Sequence, residues 1–484
     1  MRLQGNTMSM SGGQLYQAFV DAMDQCFTYI LKIAHQLPNY LQTQNHTRFQ
    51  EHEHKPNSNA TQATNKPTKR QKVAVFFGGR SPEHDVSVIT GLQVLQAIDS
   101  LVYEPFPVYI APDGRWLTGG YLLDRAHYLL SSSVIEKLLK QGQLFELVPN
   151  VSQTRRPKLL VVNQQRLTHP KEILFDVALL AFHGLNGEDG HFQGLFEVAN
   201  IPYTGMRAKA STVLMDKHAT KLMLEALHIP VLPYALIKRP IKGYFVSIES
   251  IKQALGEIQL PCILKPSHLG SSIGVAKVKT FEDIQGCLPA IFEYDTVAIV
   301  EPFVDHLVEY NVSVSKSLGV KKSHTINISA FEKPKTSEEL LDFKEKYLAG
   351  GGAKGGGTKA ADVCTSTNIS QGMLSLTREI NPKLSPQMHA KLKQWAVVMF
   401  EALDGSGLPR IDFISNGETG EIWLNEVNPI PGSFGYFLWE AATPRVLFTD
   451  LLTGLIEEAF ELAQSKSIPK DPVPEEARLL KRQV

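Results

Sequence analysis

Apolar positions in this chain fall into short unbroken runs, each followed by a glycine turn or a helical stretch. Residues 72–77 (KVAVFF) form one such run, the mark of a strand buried on both faces. It leads into Gly78-Gly79-Arg80-Ser81-Pro82-Glu83. There Ser81 suits an N-cap, Pro82 the first helical position, and Glu83 and Asp85 the first turn. Strand, glycine turn and helix in that order are how α/β folds build ligand sites at strand ends. Residues 175–184 (FDVALLAFHG) repeat the scheme and end in Gly187-Glu188-Asp189-Gly190 before a helical FQGLFEVAN. The pattern predicts further strands at 105–110, 262–265, 297–301, 309–315, 410–414 and 421–427. It predicts helices at 205–227, 248–256, 281–293, 386–403 and 444–464, the last an amphipathic closing helix.

Residues 1–70 stand apart. Residues 13–43 fit one amphipathic helix, and 44–70 are polar enough to read as a disordered linker. The linker histidines at 46, 52 and 54 are weak metal candidates, with a solvated linker the stronger reading. The apolar run Phe27–Ala34 is too short to span a bilayer, and acids interrupt it, so neither a membrane span nor a signal peptide is expected. The 484 residues carry 43% hydrophobic and 20% charged side chains with zero formal net charge. Such a chain builds several domains with real cores, and nothing in its charge recruits nucleic acid or anionic membrane. Its four cysteines (Cys26, Cys262, Cys287, Cys364) form no CxxC, which disfavours a disulfide framework or a zinc ribbon and favours a reducing compartment.

The candidate chemistry begins at Arg410-Ile411-Asp412 and Glu426-Val427-Asn428. Residues two apart on a strand share a face, so one cation and three oxygen ligands gather on one sheet surface. Hard oxygen donors of this kind suit Mg²⁺ held against phosphates. Upstream, Lys265 ends an apolar strand before His268-Leu269-Gly270-Ser271-Ser272-Ile273-Gly274. A glycine-serine loop between strands brings backbone amides and hydroxyls, those of Ser271 and Ser272 among them, onto phosphate oxygens. The lysine at its root supplies a compact charge for phosphate. The second glycine run, Gly350–Lys359 (GGGAKGGGTK), is no Walker A motif, because neither Lys354 nor Lys359 follows a glycine. It reads as a mobile lid.

In order along the chain, GGRSPEHDVSVITG (78–91), HGLNGEDG (183–190), IPYTG (201–205), MDKHATK (215–221), KPSHLGSSIG (265–274), EKY (345–347), RIDF (410–413) and NEVNPIPG (425–432) resemble the D-alanine–D-alanine ligases over roughly 72–465. The resemblance implies an α/β (α+β) multidomain chain: an ATP-grasp fold with an N-terminal Rossmann-like α/β domain. The divisions expected are 1–70, 71–205 (substrate domain), 206–300 (central), 301–470 (C-terminal, catalytic) and a tail, 471–484.

It also implies roles. Lys217 and Lys265 match phosphate lysines, with Ser272 beside them on the loop. Glu301 matches the acid at the adenine edge, Glu309 the acid on the ribose, and Lys346 the lid lysine. Asp412, Glu426 and Asn428 match ligands of two Mg²⁺ ions, with Mn²⁺ an alternative. Arg410 and the Gly432 amide match oxyanion stabilisers. Glu83, Ser271 and Tyr347 match a hydrogen-bonded trio at the first D-alanine, and His183 a histidine near it. The partners implied are ATP and D-alanine, in the cytoplasm, with a homodimer as the common family assembly.

The chain departs from the family pattern at four places. Phe437 stands where the family carries an acceptor-binding serine, with Ser433 and Tyr436 as candidate substitutes. The lid is longer and glycine-rich. Glu301 and Glu309 lie one residue further apart than usual, with Pro302 in place of a lysine. His191 replaces a threonine after GEDG. Tyr347 argues for an amine acceptor. Two other readings stay open at this stage: a ligase using a different acceptor, and an ATP-binding protein without ligase activity.

Overall fold

The computed structural model describes residues 70–128, 132–149, 157–161, 171–270, 273–318, 325–334, 378–465 and 473–479. The chain divides into two units at Thr68/Lys69, and the second carries everything below. The helix expected over 13–43, the linker expected over 44–70 except Arg70, the lid expected at the glycine-rich run, and Ser271, Ser272, Lys346 and Tyr347 lie outside the described residues.

Three sheets organise the second unit. The first has strand order β6-β5-β4-β3-β2-β1-β7. Its members are β1 (Gln71–Gly78), β2 (Tyr103–Ile110), β3 (Trp116–Thr118), β4 (Phe145–Pro149), β5 (Lys158–Val161), β6 (Glu172–Leu174) and β7 (Val177–Leu180). Only β1 pairs in parallel, with β2 on one side and β7 on the other; the remaining strands extend the sheet as an antiparallel meander. The Rossmann-like character is therefore confined to the β2-β1-β7 end of the sheet. There Val73, Ala74, Val75, Phe76 and Phe77 are wholly buried, as a strand covered on both faces requires.

Helix α1 (His84–Ala97) follows β1. It starts later than the Ser81 cap predicts. Ser81 Oγ accepts from the Glu83 N–H at 3.1 Å instead, which leaves Glu83 in the cap position and Pro82 in the preceding turn. Helix α2 (Ser132–Lys140) lies in the meander, and α3 (His191–Val198) follows the second glycine turn.

The helix predicted over 205–227 is two helices, α4 (Ala208–Met215) and α5 (Lys217–Ala226). Asp216 breaks it: its carboxylate caps α5 by accepting from the His218 and Ala219 N–H groups. A short acid that bonds its own backbone competes with helix continuation. The second sheet, order β10-β9-β11-β8, follows. Its strands β8 (Ala235–Lys238), β9 (Cys262–Pro266), β10 (Ala276–Val278) and β11 (Val297–Pro302) are antiparallel. Helices α6 (Ile248–Leu255) and α7 (Phe281–Phe292) cover it through Ile251, Leu255, Ile284, Leu288 and Ile291. Strand β11 runs on to Pro302, so Glu301 belongs to this sheet and its pairing crosses the division expected at 300/301.

The third sheet comprises β12 (Leu307–Ser315), β13 (Asn327–Ile328), β14 (Glu332–Pro334), β15 (Arg378–Ile380), β16 (Arg410–Asn416) and β17 (Ile422–Asn428). It shares a core with α4, α5 and α8 (Pro386–Ala402). The closing helix expected over 444–464 begins four residues later, as α10 (Phe448–Ser465), after Pro444; a short helix not expected from the sequence, α9 (Tyr436–Glu440), precedes it. Helix α10 packs on the first sheet, where Leu451, Leu452, Leu455 and Ile456 join its core.

Candidate active site

The register of β16 against β17 sets Arg410 opposite Asn428 and Asp412 opposite Glu426. The Arg410 guanidinium grips Asp412 with both arms, Nε to Oδ1 at 2.7 Å and Nη2 to Oδ2 at 2.6 Å. Asn428 Nδ2 donates to the same Oδ2 at 3.0 Å. On the neighbouring strand Asn311 faces Asp412, and Glu309, two residues away, shares that face. The donor set is all oxygen. Among the described residues no group of three His, Cys, Asp or Glu is placed to cage a metal. An all-oxygen donor set is of the kind Mg²⁺ takes, one or two carboxylates with phosphate and water completing the shell.

Cations of the second sheet and of α5 approach this face. Lys217 Nζ lies 3.8 Å from Glu426 Oε2, and Lys265 Nζ donates to Asn425 Oδ1 at 3.2 Å. Lys217 opens α5 directly after the Asp216 break, and its ammonium donates to the Leu269 carbonyl of the glycine-serine loop. Burial, only partly offset by Glu426, lowers its pKa. The loop root is clamped from both sides by His268. Its backbone N–H donates to Asp295 Oδ2 at 2.7 Å, Nδ1 lies 2.8 Å from Asp295 Oδ1, and Nε2 lies 3.4 Å from Asp216 Oδ2. Hydrogen bonds to those two acids push its pKa up to about 10, so the ring is an imidazolium at neutral pH.

A second cluster forms where the two glycine turns of the first sheet meet the chain after β17. Glu83 is buried. Its carboxylate packs so closely on Gly184 and Gly270 that a Cβ at either would stand 2.4 and 3.1 Å from Oε2. Gly270 belongs to the glycine-serine loop, so that loop reaches the first sheet. Glu188 is also buried; it accepts from the Gly184 N–H at 2.7 Å and the Ile430 N–H at 2.9 Å. Burial, with Glu83 nearby, raises its pKa well above the carboxylate range. His183 bonds Thr90 Oγ1 through Nε2 at 2.8 Å. Burial pushes its pKa down to about 3, with Arg410 acting in the same direction, so the ring is neutral at physiological pH. Ser433 donates its N–H to Thr90 Oγ1 at 3.2 Å and its hydroxyl to Gln93 Oε1 at 2.5 Å. Gly432 heads this turn, in which Ser433, Phe434 and Gly435 all have positive φ.

Family models of the D-ala D-ala ligase N-terminus and C-terminus match residues 72–206 and, in two overlapping segments, 223–370 and 368–457. The chain belongs to the D-alanine–D-alanine ligase family. The D-alanine–D-alanine ligase of Thermosipho africanus is 32% identical over 81% of this chain and 94% of that protein. That of Geobacillus kaustophilus is 31% identical over 82% and 96%. Two solved structures share the fold: the Coxiella burnetii D-alanine–D-alanine ligase (TM-score 0.62, 22% identity, 82% of this chain and 96% of that one) and the VanG D-Ala:D-Ser ligase of Enterococcus faecalis (TM-score 0.59, 24% identity, 81% and 100%). The fold is ATP-grasp.

The structure brings Arg410, Asp412, Glu426 and Asn428 together with Lys217 and Lys265, and gathers Glu83, His183 and Ser433 beside the Gly432 turn. Glu301 lies between two lysines, Lys265 at 2.7 Å and Lys221 at 2.6 Å. Two of these buried residues are absent from the sequence-based site: Lys221 and Glu188. Phe437 is buried in the first core beside Tyr436, with the Arg378 guanidinium 5.1 Å over its ring. Its ring is thus a packing element. Tyr436 lies 5.0 Å from the Phe448 ring at a tilt of 31°, and both Tyr436 and Ser433 are buried.

Proposed function

We propose that this ligase-family chain joins two D-alanines to D-alanyl-D-alanine at the expense of ATP, releasing ADP and phosphate, as a step in peptidoglycan precursor synthesis. The observation that carries the reading is the meeting of the two sheets: Lys217 and Lys265 converge on the strand that bears Glu426 and Asn428, beside the Arg410–Asp412 fork. A carboxylate is a poor electrophile. Transfer of the γ-phosphoryl group to the first D-alanine makes an acyl phosphate, the free amine of the second D-alanine attacks its carbonyl carbon, the nitrogen gives up a proton to solvent, and phosphate departs with the C–O bond electrons.

In this reading Lys217 and Lys265 hold the phosphates with the glycine-serine loop. Glu301 and Glu309 take the adenine and ribose edges, and Lys346 comes from the lid. Asp412, Glu426 and Asn428 hold Mg²⁺, two ions by the family pattern, with Mn²⁺ able to replace it. Bound there, the metal would spread the charge of the transferring phosphoryl group. Arg410 and the Gly432 amide stabilise the tetrahedral oxyanion. Glu83, with Ser271 and Tyr347, orients the first D-alanine, beside a neutral His183 that offers a hydrogen bond without adding charge. Among the described residues no helix is long and apolar enough to cross a membrane. A cytoplasmic homodimer completes the proposal.

Phosphate release from ATP and Mg²⁺ with D- and L-amino acids, singly and in pairs, tests the reading when products are weighed by mass spectrometry. D-Alanine alone should release phosphate and yield the dipeptide. Release only with D-alanine plus another amine would keep the chemistry and replace the acceptor. No release with any pair would refute ligase activity.

A further inference from the structure

Lys221 has no part in the reaction described above, yet it is the most deeply buried cation of the site, with 1% of its surface exposed. It lies one helical turn beyond Lys217 on α5, so both ammonium groups leave the same helix face. Its Nζ is 2.6 Å from Glu301 Oε1, while Lys265 Nζ is 2.7 Å from Oε2. The strand register accounts for the second contact: Lys265 pairs with Ile299 and Glu301 with Ile263, which sets Glu301 and Lys265 diagonally on one sheet face. Lys221 also donates to the Leu232 carbonyl at 3.3 Å and lies 5.5 Å from the Tyr234 ring. Lys265 also reaches β17, where it donates to Asn425 at 3.2 Å.

Lys265 therefore stands between two acceptors, Glu301 behind it and the phosphate region before it. With Lys265 as its only cation, Glu301 would be left bare in the interior whenever phosphate drew that lysine off, and an unpaired buried charge is strongly unfavourable. A second, fixed cation removes that obstacle. We propose that Lys221 is a positioning residue: it is the permanent counter-cation of Glu301 and so releases Lys265 to the nucleotide's phosphates. The charges support this assignment. Burial alone would raise the Glu301 pKa, but Lys265 and Lys221 together hold it down to about 2, so the carboxylate is ionised and needs a cation at all times.

The inference rests on Lys265 being a phosphate lysine, and the test separates the two. Equilibrium binding of ATP and of adenosine is measured for the full chain and for Lys221→Met, Glu301→Gln and the double variant, with steady-state kinetics alongside. Lys221→Met should weaken ATP about tenfold or more, adenosine less than about twofold, and raise the KM for ATP far more than it lowers kcat. In the Glu301→Gln background Lys221 should become dispensable, so Glu301→Gln and the double variant should bind ATP within about twofold of each other. That comparison survives even where Lys221→Met alone does not fold. A tenfold gap between those two proteins, or equal losses for ATP and adenosine in Lys221→Met, would overturn the role of Lys221. Unchanged ATP affinity in Lys265→Met would instead remove the phosphate assignment on which it stands.

Discussion

At the residue scale, the alternation of a strand is what made Arg410 and Asp412 legible as a pair, and the guanidinium fork between them is the result. Arg410→Ala should lower kcat by about a hundredfold or more, the usual cost of one oxyanion donor, while ATP binding persists. Stopped-flow turnover beside nucleotide titration reads both quantities, and undiminished turnover would remove Arg410 from the chemistry. Gly184 makes a different demand. Its φ is +72°, and a Cβ there would stand 2.4 Å from both Glu83 Oε2 and Ser81 Oγ. Gly184→Ala must displace the Glu83 carboxylate, so the KM for the first D-alanine should rise by about tenfold, or 1.4 kcal/mol, with the KM for ATP nearly unchanged. Equal effects on both substrates would show that Glu83 does not serve the amino acid. Lys221 and Glu188 escaped the sequence for physical reasons. A lysine four residues after another on a helix reads as a solvated face, and an acid in Gly-Glu-Asp-Gly reads as a surface turn. Only the third dimension shows that one faces a buried carboxylate and the other the Ile430 amide.

At the element scale, the continuous apolar runs of β1, β9 and β11 announced their strands, because a strand inside a sheet has few polar options. The single helix expected over 205–227 is two helices, because apolar periodicity continues through Asp216 while its side chain ends one helix and caps the next. That break matters, since it places Lys217 at the head of α5 against the glycine-serine loop. The root of the loop is held by His268 between Asp216 and Asp295. Its folded pKa, raised to about 10, exceeds the unfolded value near 6.5. Its contribution to stability is therefore complete below about pH 6.5 and lost as pH rises from there through 10. His268→Asn should be less stable than the parent at pH 6 and should lose less on going to pH 10. Urea unfolding at both pH values measures the difference, and parallel losses in the two proteins would show that the imidazolium clamp does not act. His183 has the opposite sign. Its folded pKa, lowered to about 3, lies below the unfolded value, so it withdraws stability as pH falls from about 6.5 towards 3.

At the scale of the whole molecule, the end of the chain belongs to its beginning. One core joins residues of β1, β2 and β7 to Ile430, Phe434, Trp439 and the inner face of α10, so the turn at Gly432 is fixed to the first sheet as well as to β17. Two truncations should therefore behave in opposite ways. The family models begin at residue 72, and the three cores of the described residues lie between Val73 and Ala459, all within the unit that starts at Lys69. Removing 1–68 should leave kcat/KM for D-alanine within about twofold, well under the 1.4 kcal/mol of a tenfold change. Removing the chain from Phe448 onward takes away Leu451, Leu452, Leu455 and Ile456, all buried. At about 1.5–3 kcal/mol for each such side chain, the loss is roughly 6–12 kcal/mol, comparable to the whole stability of a typical domain. That protein should not fold cooperatively. Differential scanning calorimetry with steady-state kinetics decides both cases. A large activity loss on removing 1–68 would make that segment part of the working enzyme, and a folded, active chain without α10 would mean that the first sheet closes its core without the C-terminal helix.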